Sequence, residues 1–253
     1  MGKIFVNRKF GGFVWHFIFA GLFIGLSLLI LEYVEGTAWF LISTVLRVIF
    51  GTLILITSSR LFGRKISDIL SPENTRGALI AGSGFLILFL YNVVTVASGY
   101  GGLTGFSAAL FISKVILQQA STGFYEELNY RFLLLEGIKH TRNTVPVRLA
   151  YVLTSSVLFG LLHCIPEWDT YTFIRTAVMG FGFAVIFVKS GNILVPMVLH
   201  FLYDIVAKMT GFIEWNHNAF FDGMSSAFEI MLAVMFVISF VILVMNKKDY
   251  VER

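Results

Sequence analysis

The stretch GFYEELNYRF, Gly123 to Phe132, puts two adjacent glutamates and an arginine between long apolar runs. Its surroundings decide how it is read. Of the 253 residues, 57% are hydrophobic and 13% charged, with a mean hydropathy of +0.82. A soluble domain of this length needs more polar residues to cover its surface. Apolar runs of roughly 18 residues or more read as membrane-spanning helices. Within such a span a charged side chain costs about 2.5–3.5 kcal/mol on insertion scales, which makes each one a functional candidate.

Working outward, the pattern predicts eight apolar spans, at approximately 13–31, 38–58, 77–97, 105–138, 147–165, 170–188, 192–209 and 225–246. Only helices or closed barrels satisfy backbone polar groups in lipid. The chain therefore reads as an all-α polytopic membrane protein, a single helical membrane domain over 1–253. The fourth span is too long for one perpendicular crossing and is expected to extend past the bilayer, tilt or break. No soluble domain, low-complexity segment or internal repeat stands out.

The formal charge of +4 orients the chain in a bilayer rather than marking a nucleic-acid partner. Basic residues fall in alternate connections: Lys3, Arg8 and Lys9; Arg60, Arg64, Lys65 and Arg76; Lys139, Arg142 and Arg148; Lys189; then Lys247, Lys248 and Arg253. The intervening ones carry Glu32 and Glu35, then Glu167 and Asp169, then Glu214 and Asp222. This alternation predicts a multi-pass protein of the cell membrane with both termini cytoplasmic. Cys164 is the single cysteine, so no intramolecular disulfide forms. The first apolar run is too long for a cleaved signal segment, and Val6 stands where a myristoylation motif wants Ser or Thr.

Helix geometry sorts the intramembrane charges. Glu127 and Arg131 are four apart, share a face and stand in the favourable order for an ion pair. Glu126 points about 100° away, which leaves it as a spare carboxylate suited to general-base work. His163 and His200 supply company, with Asp204 one turn beyond His200 on the same face. His16, His140 and His217 fall at an interface or in loops. Lys114, Arg47 and Arg175 read as snorkelling or structural, and the many phenylalanines as lipid-facing bulk. Each polar residue alone is as well explained as interhelical glue, at about 0.6–2 kcal/mol. What raises Glu126, His163, His200 and Asp204 above that is that all can converge in one bundle interior, expected to open towards the basic, cytoplasmic end.

EELNYR fits E-E-x-x-x-R, FGLLH from Phe159 to His163 fits F-x-x-x-H, and HFLYD from His200 to Asp204 fits H-x-x-x-N/D. In that order, on successive helices, these motifs resemble the family of CAAX prenyl proteases and bacteriocin-processing enzymes, also called Abi proteins, over about 105–210. The resemblance implies an intramembrane endopeptidase in which Glu126 and His163 activate the attacking water. Glu127 and Arg131 would be structural, and His200 and Asp204 would bind the oxyanion or help to hold a metal. Relatives often carry Asn at the last position. An ionised Asp204 cannot donate there and would repel negative charge, so it stays protonated, orients His200 or ligates metal. His163, His200 and Asp204 are acceptable zinc ligands; a zinc enzyme and a metal-free, glutamate-activated water both remain open. The expected substrates are peptide precursors or small membrane proteins, in bacteriocin processing, self-immunity or peptide signalling in bacteria. A non-catalytic membrane scaffold of the same fold and a small transporter are the rival readings.

Overall fold

A computed structural model describes residues 8–136, 144–165 and 167–245. The readings placed on Lys3, Lys139, His140, Arg142, Lys247, Lys248 and Arg253 lie outside these residues. The described chain forms α1 (Arg8–Leu31), α2 (Gly36–Phe62), a one-turn helix at Ile66–Ile69, α3 (Thr75–Ala81) and α4 (Ser83–Ser98). After strand β1 (Tyr100–Leu103) come α5 over 108–136, α6 (Val145–His163), α7 (Thr170–Ser190) and α8 (Leu194–Met209). Strand β2 (Ile213–Trp215), α9 (Ala219–Ser226) and α10 (Phe228–Val244) complete it.

The all-α membrane reading holds. Among the described residues, five helices are long and apolar enough to cross a membrane, or seven if the bent pairs α3–α4 and α9–α10 each count as one span. Those pairs bend by 69° and 46°. The fourth expected span, α5, is helical from end to end but lies outside that count, so the number eight is not confirmed. The expected break in it takes a specific form. Two π-helical segments, Ile112–Leu117 and Leu128–Leu133, interrupt its α-helical pitch without ending the helix. π-bulges of this kind concentrate at functional sites.

Helices approach closely where glycine removes a side chain, as is common inside membranes. A Cβ on Gly123 of α5 would stand 2.8 Å from the Met197 carbonyl oxygen of α8. One on Gly160 of α6 would stand 2.9 Å from the Phe173 carbonyl oxygen of α7. At the turn between these last two helices, Asp169 caps α7 by accepting from the Tyr171 and Thr172 backbone N–H groups. The short strands β1 and β2 pair antiparallel and tie the α4–α5 connection to the chain leaving α8.

The phenylalanines are not mainly lipid-facing, as the sequence reading expected. Phe19, Phe50, Phe62, Phe85, Phe132, Phe159, Phe181, Phe183 and Phe187 are all buried. They fill the interior between helices, where their area and edge-to-face contacts hold the bundle together.

Candidate active site

Three helices bring the motif residues together: α5 supplies Glu126 and Glu127, α6 supplies His163, and α8 supplies His200 and Asp204. Glu126 Oε2 lies 4.0 Å from His163 Nε2 and 3.7 Å from His200 Nε2. Asp204 Oδ2 lies 3.5 Å from the same His200 nitrogen. Glu126 Oε2 is buried with no hydrogen-bond partner among the described residues.

The other ring nitrogens fix each imidazole. His163 Nδ1 is 2.7 Å from the Phe159 carbonyl oxygen, one turn back in α6. A carbonyl only accepts, so Nδ1 carries the proton and Nε2 presents a lone pair to Glu126. His200 Nδ1 donates to Glu127 Oε1 at 2.9 Å. This anchors the ring and leaves Nε2 facing Glu126 and Asp204.

The expected ion pair is present and fully buried, with Arg131 Nε 3.1 Å from Glu127 Oε2. The contact lies off the line that a hydrogen bond needs, so it is ionic in character. Aromatic faces complete the guanidinium's surroundings. Its central carbon sits 4.4 Å from the Phe159 ring centroid and 5.4 Å from that of Phe183, a cation–π arrangement strengthened by exclusion of water. Phe183 also stacks on His200 with centroids 4.8 Å apart, and Phe159 lies 4.4 Å from the His163 ring. These two rings hold both histidines and the arginine at once. Phe159 was legible as a motif letter, but nothing in the sequence marked Phe183.

One expectation needs correction. His16 is not at an interface; it is fully buried in α1, with Nδ1 3.1 Å from the Asn129 side-chain oxygen in the second π segment of α5. Asn129 in turn donates to the Tyr125 hydroxyl at 3.4 Å. A lone histidine in an apolar run carried no partner signal, because its partner is 113 residues away. His163 is the last residue of α6 and the most exposed member of the cluster, at 33% against 13% for Glu126.

The other intramembrane cations have partners of their own, and Arg47 also acts electrostatically on Glu126 and Asp204. Arg47 Nη1 bonds the Ser43 carbonyl oxygen one turn back, and its guanidinium lies over the Phe23 ring. Lys114 sits over Phe40 and Phe212, and Arg175 donates to the Tyr203 hydroxyl.

As for zinc, the donor types suit it. Among the described residues, however, no group of three or more His, Cys, Asp or Glu side chains has the spacing that holds a metal ion. The chemistry below therefore uses side chains alone.

The fold defines an all-α, multi-pass membrane protein with imidazoles and carboxylates gathered in its interior. Residues 107–206 match the model of a protein family, the type II CAAX prenyl endopeptidase Rce1-like family. That segment holds the three motifs that resemble those of the CAAX proteases, so the match and the motifs point to the same family. The matched family is one of endopeptidases, hydrolases of peptide bonds. No curated protein and no solved structure gives a significant match.

Proposed function

We propose that Glu126 and His163 together activate a water molecule for attack on a peptide bond. The observation that carries this is the pair of separations around Glu126 Oε2, 4.0 Å to His163 Nε2 and 3.7 Å to His200 Nε2. Both lie just beyond hydrogen-bond length, where a bridging water is the natural link. Glu126 and the His163 lone pair are both acceptors, so such a water donates one hydrogen to each and directs its own lone pair at the substrate.

As the water oxygen bonds to the scissile carbon, its proton passes to Glu126. The former carbonyl oxygen becomes an oxyanion, which takes a hydrogen bond from a protonated His200 Nε2. Glu126 then delivers the proton to the leaving nitrogen, the C–N bond breaks, and a carboxylic acid and an amine result. Glu127 keeps His200 aimed, and Asp204, 3.5 Å from Nε2, steadies the same imidazole. No step runs through a metal; metal analysis of the purified protein, with a chelator series in the assay, tests that choice.

The substrates in this reading are peptide precursors, leader peptides or small membrane proteins, and the setting is bacteriocin processing, self-immunity or peptide signalling in bacteria. The basic connections that contain Arg60, Arg64, Lys65, Arg76 and Lys189 face the cytoplasm, with both termini. The deciding experiment compares membrane peptides in cells carrying wild type and Glu126→Gln. Precursors that accumulate only with the variant support the reading; identical peptide profiles refute it.

A further inference from the structure

A cavity of about 740 Å³ lies against α8 and contains none of the proposed catalytic groups. Walls come from α4, α7, α8, β2, α9 and α10. Its volume is in the range of sites that hold small organic ligands.

The lining divides into two chemistries. On one side is Arg175, whose Nη2 donates to the Tyr203 hydroxyl at 3.1 Å and whose guanidinium lies over the Phe228 ring. A guanidinium has five N–H donors, and Tyr171, one turn back on α7, bridges this one to Glu229, accepting from Arg175 and donating to Glu229 at 2.5 Å. No carboxylate among the described residues is in direct ion-pair contact with Arg175, although Glu229 acts on its charge. On the other side are Asp222 and a group of rings, with Asp222 3.0 Å from His217 Nδ1. Trp215 stacks on Phe221 with centroids 5.0 Å apart, and the His217 ring meets Phe221 edge-on. Carboxylates beside aromatic faces favour an ammonium group, while an arginine fork favours phosphate. With two acidic side chains to one arginine, a bare anion is poorly matched and a dipolar ligand is well matched.

The location supplies the source. The cavity sits where four apolar helices end, and Ile174 and Ile230, the chain neighbours of Arg175 and Glu229, are exposed. Trp215, Tyr171 and Tyr91 line the cavity, and tryptophan and tyrosine gather where a bilayer meets water. We propose that this cavity binds the headgroup of a zwitterionic phospholipid, phosphate on Arg175 and ammonium against Asp222 and the Trp215–Phe221 stack. The acyl chains run down the outer face of the bundle.

The test is thermal melting of delipidated protein in detergent. Short-chain phosphatidylethanolamine, phosphatidylcholine and phosphatidylglycerol are titrated separately, alongside inorganic phosphate and ethanolamine. Both amine-bearing lipids are expected to raise the melting temperature at lower concentrations than phosphatidylglycerol, with little response to the free ions. Arg175→Gln should raise the half-saturating lipid concentration about tenfold or more, as expected for lost charged hydrogen bonds. Asp222→Asn, at a side chain 56% exposed and so tolerant of change, should remove the preference for amine-bearing lipid. It decides the matter alone if Arg175→Gln does not fold. Equal responses to all three lipids, a response to phosphate alone at the same concentrations, or lipid responses unchanged in the variants would overturn the proposal. An Arg175→Gln variant with normal lipid response but a raised KM would assign the cavity to substrate instead. Melting needs no proteolysis, so this result stands or falls separately from the catalytic reading.

Discussion

Glu127 accepts a hydrogen bond from His200 Nδ1 at 2.9 Å, joining α5 to α8 through the same carboxylate that sits against Arg131. One side chain thus holds together a structural ion pair and a proposed catalytic imidazole. Removing it should therefore damage stability and chemistry together, whereas removing its neighbour Glu126 should damage chemistry alone.

Glu126→Gln is expected to abolish cleavage while leaving the protein folded and inserted. Glu126 has no arginine one turn on, and the amide keeps its shape. A peptide-cleavage assay beside a melting curve reads both halves. Cleavage at the wild-type rate would remove Glu126 from the proposed base role.

Glu127→Ala and Arg131→Ala should each lose about 3–5 kcal/mol, because each strands a fully buried charge. Melting in detergent and protein abundance in membranes are the measurements. Wild-type melting in both would mean that the buried pair does not support the fold.

Asp204→Asn separates two chemistries. If His163, His200 and Asp204 hold zinc, a neutral amide ligates less well, so activity falls and partly returns with added zinc. If residue 204 serves the oxyanion without metal, the amide restores a donor and activity holds or rises. Cleavage with and without chelator and zinc distinguishes these outcomes. A chelator-insensitive enzyme that loses activity in this variant would leave Asp204 the role of steadying His200.

Gly123→Ala should loosen the junction of α5 and α8. The new Cβ would stand 2.8 Å from the Met197 carbonyl oxygen and 3.7 Å from the His200 Cβ. Backbone cannot swing aside, so α8 must shift, at about 1–3 kcal/mol, and the Glu127–His200 bond lengthens. Reduced kcat with lowered melting is the expected result. Gly211→Ala, where a Cβ meets nothing within 4 Å, is the control.

His16→Leu should lower stability by about 1–3 kcal/mol, because it leaves the Asn129 oxygen buried with a lost partner. Unchanged melting would mean that the α1–α5 contact is not needed to hold the second π segment.

Several features follow from sequence alone because they depend on neighbours along one helix. The Glu127–Arg131 pair comes from a four-residue spacing, as does the shared face of His200 and Asp204. The apolar runs mark where helices must form, since lipid offers backbone groups no other partner. The helix packing decided the remainder. Whether Glu127 would also hold His200 depends on where α8 lies against α5, and that depends on contacts such as Gly123 with Met197. His16 looked isolated because periodicity shows which face a residue occupies but not which distant residue covers it. Phe183 was one phenylalanine among many until α7 packed it between Arg131 and His200.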